Sequence, residues 1–310
     1  MHVRAAAVRH AATSTMPATT LLRPVLLLLA ATACWGTSSA VLAHIEVARA
    51  ASAPLVAAGG GLLLLAFAAL RRRRPLRTLR AGPRMFLLVA ALEAVNLSLY
   101  VASLQVGPLP VMVALHLTAP VLLLTVDVVR GRRSLTAGMI AELGLIVAAV
   151  GLVAVAVPDG TNSGDVLLGS VLALGSATAL AVLVVQVSRR SAGHDPDVAA
   201  GLQLSLVAVI TLPLLLTGAP GLPDAGWLLL AGAALLGPGF ALYWRALRTM
   251  DAPLAGILGL NEAVIATVIG ALAFGATIGL ATLVAGTLIL AAVVLEVRRR
   301  PRAPEPLAGP

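Results

Sequence analysis

Residues 96–121 read NLSLYVASLQVGPLPVMVALHLTAPV, and residues 239–264 read GFALYWRALRTMDAPLAGILGLNEAV. The two stretches align without a gap at a shift of 143 positions, and their seven identical pairs include Tyr100/Tyr243 and Pro110/Pro253. Leucine and valine matches arise readily in an apolar chain, whereas the tyrosine and proline matches are harder to obtain by chance. We interpret the pairing as an internal repeat.

The whole chain is as apolar as these two stretches. Of its 310 residues, 59% are apolar and 11% are charged, and the mean hydropathy is +1.00, whereas about a quarter of the residues in a soluble domain are charged. Because one membrane span needs about 20 apolar residues, the apolar runs predict ten spans. These are placed at 21–44, 52–70, 84–104, 109–129, 135–157, 166–188, 198–217, 226–247, 253–274 and 277–297. The predicted fold class is an all-α integral membrane protein of ten transmembrane helices.

The distribution of arginine predicts how these spans are oriented. The chain has no lysine, and 21 of its 22 arginines fall in segments that face the cytosol if both termini are cytosolic; Arg49 is the exception. The predicted outer loops at 105–110, 158–165 and 217–226 contain no arginine. This bias is the positive-inside pattern. Arginines at the cytosolic face also contact anionic lipids. The net charge of +9 is thereby explained without nucleic acid as a partner.

A shift of 143 residues corresponds to five spans, so the two repeats have opposite orientations in the membrane. Inverted repeats are common in secondary transporters, whose substrate site lies near the middle of the membrane between the halves. The predicted organisation is a mobile cytosolic tail at 1–20, a first five-helix repeat at 21–157, an outer loop at 158–165, a second five-helix repeat at 166–299 and a cytosolic tail at 300–310. Met16 is an alternative start.

Two polar groups in the spans are the main site candidates. Glu262, beside Asn261, has the small residues Ala255, Gly259, Ala266, Gly270 and Ala273 on its helical face, while Leu260, Val264, Val268 and Leu272 lie opposite. This pattern predicts that Glu262 points into the protein, as a proton carrier, a partner for an ammonium group or a packed neutral acid. In the third span Glu93, Asn96, Tyr100 and Ser103 form one polar stripe, which predicts a transport pathway or a hydrogen-bonded helix interface.

Further candidates are weaker. His116, one turn before Pro120, could relay protons or simply be packed. Gly237-Pro238-Gly239 is predicted to interrupt the eighth span, with Trp35, Gly239 and Tyr243 lining the same cavity and Trp244 anchored at the membrane interface. Glu142, in the fifth span, is a second-rank candidate.

Cofactor and enzyme chemistry are not predicted. The single cysteine, Cys34, excludes an intrachain disulfide and a cysteine-rich metal cluster. The sequence contains no His-Glu-x-x-His and no Gly-x-Ser-x-Gly motif, and a chain without lysine cannot form a phosphate-binding loop of the Gly-Lys type. We expect no cofactor and no resident metal. A membrane-embedded enzyme and a non-transporting sensor are the rival classes.

The stretch Val113-Ala114-Leu115-His116-Leu117-Thr118-Ala119-Pro120 resembles Val-Ala-Leu-Glu-Phe-Thr-Gly-Pro in the threonine/homoserine exporter branch of the EamA family, in the drug/metabolite transporter superfamily. Members of the family often carry an acid–proline pair in the fourth span of each half. Here the first half keeps Pro120 without the acid, and the second keeps Glu262 followed by Ala263. The Gly-Glu pair common after that span in the family stands here as Gly275-Ala276.

The resemblance implies a proton-coupled exporter of small metabolites, amino acids among them, in the bacterial inner membrane. Other small metabolites or drugs of the same superfamily are the alternative substrates. Small-molecule substrate, protons and membrane lipids are the expected partners, and a homodimer is left open.

Overall fold

The computed structural model describes residues 18–45, 49–131, 134–155, 163–275 and 278–299. In these ranges the chain is built of helices, without strands. The predicted tail at 300–310, most of the tail at 1–20 and most of the loop at 158–165 lie outside the described residues. The α-helices are α1 Ala18–Leu42, α2 Ala53–Leu70, α3 Pro75–Ala81, α4 Pro83–Leu104, α5 Leu109–His116, α6 Ala119–Val129, α7 Ala137–Val155, α8 Ser163–Arg190, α9 Pro196–Thr211, α10 Leu222–Ala231, α11 Gly237–Leu247, α12 Ala252–Gly259, α13 Asn261–Phe274 and α14 Leu280–Arg299.

Seven helical segments are long and apolar enough to cross a membrane. They are Leu22–Leu42, Ala50–Leu70, Pro83–Leu104, Val166–Gly193, Pro196–Thr217, Leu222–Leu247 and Ala252–Phe274. Three shorter apolar helices, Val111–Val126, Ala137–Leu152 and Leu280–Glu296, occupy the other three predicted spans. Large aliphatic side chains such as Leu62 and Leu272 are exposed on the outside, which suits lipid as the solvent. The chain is a multi-pass membrane protein.

The helices surround a central cluster in which elements distant in sequence pack together. Helix α2 packs along α9, α4 packs on α8 and α9, and α1 packs on α11 and α13. At the periphery α7 packs on α14, and α5 packs on α8 and α13. Each half of the chain therefore contributes helices to the same core.

Glycines allow α2 to approach the α10–α11 segment closely. A Cβ atom on Gly59 would lie 2.1 Å from the carbonyl oxygen of Leu229, and one on Gly232 would lie 2.0 Å from that of Val56. Both contacts are with backbone, which cannot rotate away. Small residues permit such backbone contact between membrane helices and so strengthen dispersion contacts, because lipid supplies no hydrophobic driving force between them.

Two predicted spans are broken helices. The span predicted at 109–129 divides into α5 and α6 around Leu117 and Thr118, and that predicted at 253–274 divides into α12 and α13 at Leu260. The Thr118 N–H donates to Leu115 O at 3.1 Å and the Leu260 N–H donates to Ile257 O at 3.1 Å, so each break is a tight turn. Leu260 lies opposite Glu262 in the helical pattern, and large aliphatic side chains on that face were expected to contact lipid. Leu260 is instead buried, because it lies at the break itself, so for this residue the expectation is wrong.

The eighth span is interrupted one turn earlier than predicted. A π-helical turn, Gly232–Leu236, separates α10 from α11, and Gly237, Pro238 and Gly239 belong to α11. Pro238 has no N–H to donate to the preceding turn and its ring crowds that turn. The helical hydrogen-bond pattern therefore changes in the residues before the proline, where the π-helical turn is inserted.

Polar contacts organise the turn between α8 and α9. Asp195 caps α9 by accepting from the N–H groups of Asp197 and Val198 at 3.1 and 3.2 Å, and it forms an ion pair with Arg73 at 3.3 Å. Asp197 pairs with Arg245 on α11. These contacts fix the end of α11 against α9.

Trp244, predicted to be an interface anchor, is fully buried. Its indole N–H donates to Gln203 Oε1 on α9 at 2.8 Å. The prediction is wrong because this partner lets the whole indole be buried without an unsatisfied N–H.

Candidate functional site

A cavity in the helix core contains most of the predicted site residues. Its volume is about 60 Å³, which holds only a few water molecules. Six helices, α1, α4, α5, α8, α11 and α13, and the end of the π-turn contribute to its wall. The lining residues are Trp35, Ser38, Ser39, Leu42, Glu93, Asn96, Leu97, Tyr100, His116, Leu180, Leu183, Leu236, Phe240, Tyr243 and Glu262.

Glu262 lies in the first turn of α13, next to the helix break, and is 4% exposed. Its Oε1 lies 3.0 Å from Ser39 Oγ and 3.0 Å from the Tyr100 hydroxyl, and those two hydroxyls are 2.9 Å apart. Both hydroxyls can donate to the carboxyl group. A Cβ on Gly36 would lie 2.7 Å from the Glu262 carbonyl oxygen, so this glycine lets α1 approach α13 and place Ser39 one turn further on.

Glu93 belongs to a second polar group, on α4, α5 and α8. Asn96 Nδ2 donates to Glu93 Oε2 at 3.1 Å, and Ser176 Oγ donates to Asn96 Oδ1 at 2.8 Å. The His116 Nδ1 atom lies 2.9 Å from Ser176 Oγ and can donate to it in the tautomer that protonates Nδ1. The imidazole is thereby linked to Glu93 through three hydrogen bonds.

Tyr100 joins the two polar groups. Its ring stacks on the His116 ring with centroids 3.9 Å apart and an interplanar angle of 22°, while its hydroxyl reaches Glu262. Glu93, Tyr100, His116 and Glu262 thus all line the same cavity. A buried carboxyl group in such a setting can hold a proton or pair with a cation as the helices rearrange.

An aromatic wall completes the cavity on α1 and α11. The Trp35 ring lies 5.2 Å from Phe240 and 5.1 Å from Tyr243 between centroids. Gly239 lies behind this wall, where a Cβ would be 2.6 Å from Trp35 Nε1. The absence of a side chain at Gly239 is what leaves room for the indole.

Four predicted site residues lie outside the cavity wall: Gly239, which lies behind the indole of Trp35, and Asn261, Ser103 and Pro120. Asn261 faces α1 and its Nδ2 donates to Thr32 Oγ1 at 3.3 Å. Ser103 is buried, and its hydroxyl donates to the Tyr100 carbonyl oxygen at 2.6 Å. The last residue of the polar stripe on α4 therefore lies outside the cavity wall. Pro120 packs towards Gly256 on α12, where a Cβ would lie 3.3 Å from the proline ring.

Ser176, Ser38, Ser39 and Phe240 were not among the site residues predicted from the sequence. Ser176 is one hydroxyl in a run of small residues on α8, and nothing in its spacing relates it to Asn96, 80 residues earlier. Only the packing of α8 on α4 brings them together. A search for buried serines on spans that pack against the polar stripe is the signal that would have found it.

Glu142 is placed elsewhere. Its Oε2 accepts from Arg299 Nη1 at 3.0 Å, so the carboxylate joins α7 to the end of α14.

We predict that Glu142→Gln lowers stability by roughly 1–2 kcal/mol, as expected for a charge-assisted hydrogen bond, and leaves transport and its pH dependence intact. Thermal unfolding and solute flux of the purified variant measure both; a loss of pH dependence would place Glu142 in the mechanism.

Within the described ranges, no three or more His, Cys, Asp or Glu side chains lie close enough together to hold a metal ion. The lining residues include two carboxyl groups, Glu93 and Glu262, and no arginine. When ionised, these carboxyl groups favour a cation beside them.

Residues 167–298 match the EamA-like transporter family. The match spans almost all of the second predicted repeat and identifies an EamA domain there. A solved protein structure is similar to this chain, with a TM-score of 0.68 and 22% sequence identity, over 89% of this chain and 99% of its own length. At that identity the similarity shows the fold alone. A search of curated proteins gives no match. The family that these residues match is one of transporters.

Proposed function

We propose that this protein is a secondary active transporter that exports small polar metabolites, such as amino acids, in exchange for protons by alternating access. The observation that carries the proposal is the cavity in which Glu93, Tyr100, His116 and Glu262 meet inside a bundle of membrane helices. Ionisable side chains are costly in this setting and usually belong to solute or proton pathways.

The packing supports an inverted repeat of two five-span halves across the whole chain. Exchanging each span with the one five later preserves the main packed pairs: α4 on α8 corresponds to α11 on α1, α5 on α8 to α12 on α1, and α6 on α8 to α13 on α1. A shift of 143 residues also maps Leu109–His116 onto 252–259, which are the bounds of α12. Both breaks therefore fall at equivalent positions of the two halves, as in transporters whose site lies at discontinuous helices.

The size of the cavity indicates that a solute enters only when helices separate. Its volume of about 60 Å³ is well below the ~300–1,000 Å³ of small-molecule sites. In alternating access a site open to both sides would dissipate the gradient, so the space for a solute must open to one side at a time.

Proton coupling follows if proton and solute compete for the same carboxyl groups. A protonated Glu262 is neutral and can remain buried, whereas an ionised Glu262 needs a cation beside it when the cavity closes. The cavity then closes with either a proton or a cationic group bound. Such mutually exclusive occupancy exchanges one for the other across the membrane.

The arginine bias supports cytosolic termini, and the resemblance of residues 113–120 supports the threonine/homoserine exporter branch and a bacterial inner membrane. Export of drugs by the same mechanism is the alternative within the superfamily. The aromatic wall of Trp35, Phe240 and Tyr243 can contact an aromatic drug. The cavity lining, however, mixes polar and apolar side chains, and the space is small. We favour small polar solutes.

Reconstituted proteoliposomes test the proposal. Labelled amino acids and small amines are offered with an imposed pH gradient, with equal pH on both sides, and with a proton ionophore. We expect a subset of solutes to accumulate against their gradient only when the pH gradient is present. Absence of flux for every solute in every condition would contradict the proposal and favour a sensor or an enzyme.

A further inference from the structure

Two polar contacts hold the end of α11 to the segment between α8 and α9. Asp197, in the first turn of α9, forms an ion pair with Arg245 in the last turn of α11, and the Asp197 side chain is only 11% exposed. The buried Ser191 hydroxyl, just after α8, donates to Leu247 O at 2.9 Å. We call these two contacts the cytosolic clasp, because the arginine bias assigns this face of the protein to the cytosol.

The cytosolic clasp lies between the central cavity and the ends of two helices that line it. Leu183 of α8 and Tyr243 of α11 belong to the cavity wall. Ser191 follows Leu183 by about two helical turns, and Leu247 follows Tyr243 by about one. A path from the cavity to the cytosol between α8 and α11 therefore opens only if the cytosolic clasp breaks.

The repeat allows the two faces of the protein to be compared position by position. At a shift of 143 residues the first residue of α2, Ala53, corresponds to the first residue of α9, Pro196. The last residue of α4, Leu104, likewise corresponds to the last residue of α11, Leu247. The register of the repeat therefore holds in the helices that carry the ion pair of the clasp.

The outer face cannot form an equivalent ion pair. In the register of the repeat Asp197 corresponds to Pro54 and Arg245 corresponds to Ala102, and neither proline nor alanine has a polar side chain. On the cytosolic face, separation of α9 from α11 would leave the largely buried Asp197 carboxylate without its cation, which is costly. Opening of the outer face carries no such cost at the equivalent positions.

We infer that the cytosolic clasp sets the resting conformation of the protein, so that the empty cavity opens to the outer side and stays closed to the cytosol. The inference rests on the proposed alternating access, in which equivalent helices of the two halves exchange roles. A contact present on one face alone shifts the balance between the two conformations by its own free energy. An exporter biased in this way presents its carboxyl groups to the outer solution when empty, where it can take up protons.

Thiol labelling from each side of the membrane tests the inference. Leu180→Cys, combined with replacement of the single native cysteine in Cys34→Ala, places one thiol on the cavity wall. Right-side-out and inverted membrane vesicles present opposite faces to a membrane-impermeant thiol reagent. Asp197→Asn and Arg245→Gln break the ion pair, and the double exchange Asp197→Arg with Arg245→Asp restores it in reverse. Arg80→Gln is the matched control, since Arg80 is exposed near the same face and forms no ion pair among the residues that the structure describes.

We expect the parent protein to be labelled faster from the outer side. Each single substitution should raise the cytosolic rate relative to the outer rate about tenfold, the effect of one hydrogen bond between charged groups, and the reversed pair should return the ratio towards the parent value. Ser191→Ala removes the other contact with little change of volume and should shift the ratio in the same direction by a smaller factor. Arg80→Gln should leave the ratio unchanged.

Equal labelling of the parent from both sides would overturn the inference, and so would single variants or Ser191→Ala that behave like Arg80→Gln. A shift in the single variants that the reversed pair does not correct would also overturn it, because the effect would then belong to the separate charges and not to their contact. Labelling does not depend on which solute is carried. A shifted ratio in a protein that moves no solute would therefore contradict the proposed function and leave the clasp in place.

Discussion

Glu262→Gln is expected to abolish the response of transport to an imposed pH gradient. Glutamine keeps an oxygen that can accept from Ser39 and Tyr100, which lie 3.0 Å from Glu262 Oε1, so the helix contacts survive. It cannot release or bind a proton. We expect uphill transport driven by the pH gradient to be lost, while downhill exchange of solute is retained because the second carboxyl group, Glu93, still lines the cavity.

The matched control is Asp224→Asn, which neutralises a carboxylate in the first turn of α10 away from the cavity. It should leave both uphill transport and exchange unchanged. Flux of a labelled solute with and without the pH gradient separates the two activities. If Glu262→Gln accumulates solute as the wild type does across a range of gradients, Glu262 has no part in coupling.

Gly232→Ala is expected to lower stability strongly, because a Cβ there makes the closest approach to a neighbouring helix of any glycine in the described ranges. The new Cβ would lie 2.0 Å from the Val56 carbonyl oxygen, so α2 and the π-turn must separate. We expect this overpacking to lower the free energy of unfolding by about 3 kcal/mol, towards the upper end of the usual range. The reason is that the Val56 atoms met by the new Cβ belong to the backbone. The corresponding fall in melting temperature in detergent is roughly 5–10 °C.

Gly151→Ala provides the control for this effect. It also adds a methyl group to a helical glycine, but no heavy atom lies within 4 Å of the new Cβ. Alanine favours helix more than glycine does, so the melting temperature should stay constant or rise slightly. Equal melting temperatures for Gly232→Ala and the wild type would contradict the close contact between α2 and the π-turn.

Much of the helical framework could be predicted from hydropathy, because lipid requires long apolar helices with internally satisfied backbones. The breaks at Leu117–Thr118 and Leu260 could not, since neither follows from an apolar run. The π-turn was displaced from the predicted Gly237-Pro238-Gly239 because a proline disturbs the turn before it rather than its own position. Local sequence therefore located the irregular helix but not the irregular residues.

The candidate site was partly predictable for a similar reason. Glu93, Asn96 and Tyr100 lie on one helical face, so their common direction follows from the spacing alone. The placement of Glu262 beside Tyr100 depends on the packing of α1 with α13 and α4, which brings together residues 162 positions apart. Asn261 was misplaced because adjacent residues on a helix point in different directions, and its amide turns to Thr32 instead.

The most direct test of proton-coupled transport through this cavity measures protons and solute together. Purified wild-type protein in proteoliposomes containing a pH-sensitive dye is exposed to a pulse of the best transported solute, with no initial pH difference. The account predicts that solute entry drives protons outward, so the lumen becomes alkaline, and that Glu262→Gln abolishes the dye signal while solute exchange continues. Solute entry by the wild type without any change in lumenal pH would contradict it.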